Sequence, residues 1–342
     1  MRPQGFIGRN FARQITKDFA VSDNPNDWLD DDIAHVLSLK GADCPGNLII
    51  GDVAYEQWLK SLTTPSNKLT DKELPDHYAE LANIATSHGI AGSSAGGEFP
   101  KFITQRQLAH TQTPHVIVKF SGADHSTAVR RWADLLACEH LALAVLDKST
   151  HINAASSRII HSHGRTFLEV ERFDRFGDFG RKPVVSLSSL DGAFVGVGSG
   201  AWTDVAKKLV DLSILEQDLL DDILVLWWYG KLIGNTDMHF GNLSFLFDAN
   251  PHQKPSLKLS PVYDMLPMLY APLSGGEVPS RIYEPLLPLP REQKAWEVAF
   301  KAATLFWQTT AKDDRISQPF REICQQNYLK LVEAGGRLLN GL

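Results

Sequence analysis

The residues best placed to do chemistry lie in one stretch, Gly234-Asn235-Thr236-Asp237-Met238-His239-Phe240-Gly241-Asn242. It carries a carboxylate, an imidazole and two carboxamides between two apolar runs, 223–229 and 243–247. The first run reads as a buried helix end and the second as a short buried strand. Apolar segments this close hold the polar loop between them rigidly. An Asp followed five residues later by an Asn suits phosphoryl transfer: Asp237 orients an attacking hydroxyl and Asn242 reaches a metal ion. His239, between them, is expected to order the loop by hydrogen bonding. A second carboxylate, Asp264, ends the segment Ser260-Pro261-Val262-Tyr263-Asp264 after a short strand at 257–259, and offers a further hard oxygen for Mg²⁺.

Upstream lie three features in a telling order. The stretch 89–97 holds four glycines and two serines, Ser93 and Ser94, so backbone N–H groups can approach an anion closely. A turn between a helix and a strand is the plainer reading, and neither the Walker A pattern nor the dinucleotide fingerprint is present. Next comes the β-branched strand 115–120 with Lys119 near its end; taken alone, strand alternation points that lysine to solvent. Then an amphipathic helix over 129–143 carries Glu139 beside its leucine stripe. A Gly-rich loop, a strand lysine and a helix glutamate, in that order, form the nucleotide clamp of kinase N-lobes.

The positioning elements follow from the rest of the pattern. A helix is expected over 28–37 and another over 76–88, with a strand or strand edge at 48–50 and 53. A strand over 165–171 runs into Glu171, Arg172, Asp174 and Arg175, a charge density that reads as a solvated turn with internal pairing. His161 and His163 precede it as surface polar residues. Segments 63–67 and 248–255 read as turns, 176–202 and 272–290 as irregular, and 203–233, 291–308 and 313–339 as helical.

The 342 residues are enough for two lobes, and 43% hydrophobic with 22% charged residues is ordinary for a globular chain. A formal net charge of −6 gives no global attraction to nucleic acid or membrane. Three scattered cysteines, Cys44, Cys138 and Cys324, argue against a disulfide framework and for a reducing compartment. With no apolar leader and no bilayer-length apolar run, the expectation is a cytoplasmic protein.

Four blocks, 93–101, 170–175, 234–242 and 260–264, together resemble the HipA-like serine/threonine kinases, toxins of bacterial toxin–antitoxin systems. Segments 2–5 and 41–46 match that family's N-terminal region more weakly. The resemblance implies an α+β, two-lobed protein-kinase-like fold of the phosphoinositide-kinase-like, HipA type, with a β-rich N-lobe and a helical C-lobe. The division it implies is an N-terminal subdomain at 1–75, an N-lobe at 76–173 and a C-lobe at 174–342. Asp237 would be the catalytic aspartate, and Asn242 and Asp264 would hold Mg²⁺. Lys119 would contact the phosphates of ATP, and Glu171, Arg172 and Phe173 the adenine. Ser94, Ala95, Gly96, Gly97 and Lys101 complete the expected nucleotide site from the Gly-rich side, with His239 and Tyr263 from the catalytic side.

Family members autophosphorylate a serine of the Gly-rich loop, here Ser94 with Ser93 beside it; the added charge of about −1.5 to −2 would compete with nucleotide phosphates. The resemblance further implies a protein substrate such as an aminoacyl-tRNA synthetase and a HipB-like DNA-binding antitoxin, with DNA reached only through that antitoxin. Two departures stand out: Phe240-Gly241, where many relatives carry a lysine before the final Asn, and Phe99, at a position that is often polar. No equivalent of the winged-helix segment of some relatives is found before residue 30, so a shorter or truncated member is expected. A small-molecule phosphotransferase and a non-catalytic regulatory relative are the competing readings.

Overall fold

In a computed structural model, residues 2–63, 69–87, 98–247 and 256–339 are described. The chain forms two compact units: Met1–Asp124 with Ile160–Pro183, and His125–Ile159 with Val184–Leu342. It crosses between them more than once. Unit 1 opens with α1 (Gly5–Phe19), α2 (Asp30–Lys40), α3 (Asp52–Thr63) and α4 (Leu74–Ser87), then β1 (Lys101–Gln105) and β2 (His115–Phe120). The chain enters unit 2 for α5 (Thr127–Ser149). It returns through β3 (Ser157–Ser162), β4 (Arg165–Glu171) and the small hairpin of β5 (Arg175–Phe176) and β6 (Gly180–Arg181). Unit 2 is completed by β7 (Val184–Ser186), α6 (Leu187–Leu190), α7 (Trp202–Asp211), α8 (Gln217–Leu232), β8 (Ser244–Phe247), β9 (Leu257–Leu259), α9 (Gln293–Thr310) and α10 (Gln318–Leu339).

The centre of unit 1 is an antiparallel sheet in the order β1-β2-β4-β3. Alternation along its strands sends Phe102, Val116, Val118, Phe120 and Phe167 to one face, where they pack on Leu74, Tyr78 and Ala82 of α4. A separate small core of Ala12, Ile15, Trp28 and Val36 joins α1 to α2. The sequence pattern concealed α1. Gly5 and Gly8 lower its helix propensity, yet Gly8, Ala12 and Ile15, at i, i+4 and i+7, are buried along one face. The strand expected at 48–50 and 53 is absent. Leu48–Ile50 are coil, and Val53 lies in α3, where Tyr55, Trp58, Leu59 and Leu62 repeat at helical period. That longer period outweighs a three-residue apolar run.

Unit 2 is mostly helical, with α8 packed on α7 and α9, and α9 packed on α5 and α10. It also holds the three-stranded sheet β7-β8-β9. Its fully buried side chains include Tyr229, Trp296, Phe306, Trp307 and Phe320. Bonds from α5 into this helical body place it in unit 2 rather than with the sheet that precedes it in sequence. The Asp134 carboxylate accepts from Ser317 N and Oγ, both at 2.7 Å. Tyr229 Oη donates to Ala142 O at 3.1 Å. The Arg131 guanidinium lies 4.2 Å from the Phe320 ring centroid. The chain thus enters unit 2 first at His125 and finally at Val184, and α5 lies outside the body that contains β2 and β4.

Candidate active site

The loop 234–242 is held from both ends. At the end of α8 the orphan carbonyl of Leu232, one of the acceptors every helix terminus leaves unpaired, takes hydrogen bonds from Tyr283 Oη and from Trp307 Nε1. Gly234 then turns the chain at φ +74°, a conformation that costs glycine little. Its carbonyl accepts from Leu269 N at 2.9 Å.

Asn235 is the internal fastener, a role the sequence did not disclose. The side chain is buried; Oδ1 accepts from Asp237 N at 3.0 Å and Nδ2 donates to Asp264 O at 3.2 Å. One carboxamide therefore fixes the backbone of both aspartates that the sequence singled out. Its signal was an Asn two residues before an Asp, the spacing of an Asx turn.

Asp237 itself points outward, with its side chain 53% exposed. Its carboxylate accepts no hydrogen bond from the described residues, and His239 Nε2 lies 4.0 Å away. His239 orders the loop as expected: Nδ1 accepts from Gly241 N at 3.0 Å. Its carbonyl accepts from Asn242 N and from the indole of Trp202, both at 3.0 Å. The Asn242 carboxamide donates through Nδ2 to Asp237 O at 2.8 Å, which leaves Oδ1 without a hydrogen bond among the described residues. Tyr263 Oη donates to Gly241 O at 2.8 Å, so its 2.7 Å contact with Ser244 Oγ is one in which the serine donates. Asp264 follows at φ +53°, a left-handed conformation that non-glycine residues seldom adopt and that Asp tolerates better than most. Unit 2 thus brings together Asp237, His239, Asn242, Tyr263 and Asp264. The Asn242 carboxamide oxygen and the Asp264 carboxylate are hard-oxygen groups of the kind Mg²⁺ takes.

The other expected residues, Glu139 excepted, lie in unit 1. Lys119 is buried on β2, opposite Lys101 of β1 and Leu168 of β4, not turned to solvent as simple alternation suggested. Lys101 Nζ is 3.3 Å from Glu98, and Arg9 Nη2 is 2.8 Å from the same carboxylate. Burial pushes the Glu98 carboxyl up, but Lys101 and Arg9 together bring it below its ordinary value. Ser93, Ser94, Ala95, Gly96 and Gly97 lie outside the described residues. Glu139 is fully buried on α5 in unit 2.

The charged segment after β4 is not a solvated turn. Arg172 makes a two-pronged contact with Asp174 at 2.9 and 3.0 Å and reaches Asp43 at 3.1 Å. Arg175 holds Asp174 at 2.7 Å and Asp43 at 2.6 Å, and Gly46 N donates to Asp174 at 2.9 Å. Arg172, Asp174 and Arg175 are all buried. The counter-charge that makes this burial tolerable, Asp43, comes from about 130 residues upstream, beyond the reach of local pattern reading. Glu171 likewise accepts from Arg106 Nη2 at 3.3 Å and Gln112 N at 3.0 Å. The side chains of Glu171 and Arg172 therefore serve the fold.

Residues 1–59 match the middle domain of YjjJ-like toxins, and residues 93–329 match the HipA-like C-terminal domain. Over 330 residues the chain is 36% identical to the toxin YjjJ of Escherichia coli (strain K12), covering 95% of this chain and 72% of that protein. Among solved structures it resembles HipA of Shewanella oneidensis MR-1, determined with HipB and operator DNA. The TM-score there is 0.55 at 17% identity, covering 96% of this chain and 82% of that one. This likeness bears out a mixed α+β fold of the HipA type. By the extent of both sequence matches, the chain belongs to the HipA-like toxin family.

Proposed function

We propose that the protein is a Mg-ATP-dependent serine/threonine protein kinase acting as the toxin of a toxin–antitoxin pair. The observation that carries this reading is the loop in which Asn235 and Asn242 fix the backbone of Asp237 while its carboxylate stays unengaged. In that state Asp237 can accept the proton of a serine or threonine hydroxyl as the hydroxyl attacks. Asn242 Oδ1 and Asp264 would hold Mg²⁺, which neutralises phosphate charge when bound. Tyr263 and His239 keep Gly241 and Asn242 in place. Lys119 would meet the phosphates, and main-chain atoms of 171–173 the adenine.

Autophosphorylation on Ser94 or Ser93, a HipB-like antitoxin and a translation component such as an aminoacyl-tRNA synthetase as substrate complete the proposal. Support for the antitoxin comes from the Shewanella relative, which was captured with HipB and operator DNA. Among the described residues, no helix is long and apolar enough to cross a membrane, in keeping with the proposed cytoplasmic location.

Phosphoproteomics of cells expressing wild type beside Asp237→Ala tests the function. Sites phosphorylated only with wild type, including one at Ser93 or Ser94, are the expected result. Label confined to a metabolite would replace the protein-kinase reading with a small-molecule phosphotransferase.

A further inference from the structure

Unit 2 contains a cavity of about 440 Å³ between the loop that precedes α7 and α7 itself, lined by Val197, Gly200, Ala201, Asp204, Lys207 and Lys208 among others. Its loop wall is firmly held. The buried Asp191 carboxylate accepts from Val197 N at 3.1 Å and Gly198 N at 2.7 Å, and its carbonyl accepts from Gly196 N at 2.7 Å. The cavity is also tied to the catalytic loop. Trp202, the residue after Ala201, donates its indole N–H to His239 O, two residues from Asp237. On the other side of the same loop, Leu187 N of α6 donates to Leu243 O at 2.8 Å.

The chemistry of the wall is specific. Val197 stands exposed in the wall, in a loop that a folded protein has no internal reason to make apolar, and Phe194 is exposed in the helical turn just before it. Neither Lys207 nor Lys208 has an ion pair or side-chain hydrogen bond among the described residues. Asp204, three and four residues earlier on the helix, does not pair with them within 4 Å, so the cavity carries two cations against one anion. A local positive site beside the catalytic loop is opposite in sign to the chain's net charge of −6.

We infer that this cavity is the docking site for an acidic segment of the protein substrate. An apolar side chain of that segment rests on Val197 and Ala201, and its carboxylates face Lys207 and Lys208. The inference rests on the kinase reading above, and it adds what that reading lacks: a feature of the substrate. Docking of this kind sets KM and specificity and leaves the chemical step to Asp237.

The test uses the full chain with two protein probes, dephosphorylated casein (acidic) and myelin basic protein (basic). Lys207→Glu with Lys208→Glu is expected to raise the KM for casein about tenfold. The kcat and the KM for ATP should stay within twofold, and the basic probe should be affected little. Lys207→Arg with Lys208→Arg should restore casein phosphorylation, and added salt should narrow the wild-type preference for casein. An unchanged KM for casein, or equal loss on both probes, would overturn the inference.

Fluorescence anisotropy of a labelled peptide carrying a leucine among glutamates separates this inference from the kinase reading. If wild type transfers phosphate to nothing, the kinase reading fails. Binding of that peptide about tenfold tighter to wild type than to the reversed variant would still sustain the docking site, and equal binding would overturn it.

Discussion

Asn235→Ala isolates the feature that makes the catalytic loop more than a polar insert. The substitution removes the acceptor for Asp237 N and the donor to Asp264 O in one step. Each lost hydrogen bond costs about 1 kcal/mol net, and a buried group left unpaired costs about 1–3 kcal/mol. Asp237 is half exposed, so water can reach its freed N–H, and the lower part of that range applies to it. The Asp264 carbonyl lies beside the buried Met265 and bears more of the penalty. Together the loss comes to about 2–3 kcal/mol. If the two aspartates need this geometry only in the transition state, that corresponds to about 30–150-fold in kcat. Initial rates of phosphate transfer from labelled ATP would show the fall, with melting temperature checked in parallel. Asn235→Asp keeps the acceptor for Asp237 N but sets an oxygen against Asp264 O, so it should recover little. A kcat for Asn235→Ala within threefold of wild type, in a protein that still phosphorylates its substrate, would refute the positioning argument.

Three other predictions concern stability. Asp174→Asn leaves Arg172 and Arg175 buried with only the half-exposed Asp43 as counter-charge, and should cost about 3–5 kcal/mol. That is a fall of roughly 10 °C in the melting of unit 1, and a fall under 2 °C would show that solvent reaches the network. Acidification should act in two stages. Burial lowers the affinity of His115 for protons, so its contribution declines as pH falls from about 6.5 towards its lower folded value. Burial pushes Asp43 and Asp174 up, but the arginines bring both below their ordinary value. Their contribution is complete above about pH 3.9 and is lost as pH falls through the folded values. Urea midpoints between pH 8 and 3 would display both stages. Finally, Gly335→Ala sets two effects against each other. Helix propensity favours alanine by about 1 kcal/mol. However, the new Cβ would meet the Phe300 ring, which is stacked on Trp296 at 4.9 Å and would have to shift out of that stack. A net loss of about 1–2 kcal/mol is expected, and a gain in urea midpoint would show that the ring moves freely.

The elements that carry the site were legible because they are apolar at a single period. The strand at His115–Phe120, the helix around Leu135–Leu143, the end of α8 and the two short strands after the loop all lie where the pattern put them. What stayed hidden depended on partners distant in sequence. Arg172 and Asp174 read as a solvated turn because Asp43 is nowhere near them in the chain. Lys119 looked solvent-facing because strand alternation cannot say that β1 and β4 both flank it. Asn235 was visible as a loop residue, but its two bonds required the positions of Asp237 N and Asp264 O. The reach of α5 into the helical unit is likewise tertiary: it follows from Asp134 meeting Ser317, and no local signal announces that meeting.

Phosphate transfer from γ-labelled ATP and Mg²⁺ into cell-lysate protein tests the central claim, with wild type measured beside an Asp237→Ala variant of matched melting temperature. The account predicts labelled protein with wild type and a rate at least about 100-fold lower with the variant. Equal labelling by the two proteins would contradict it.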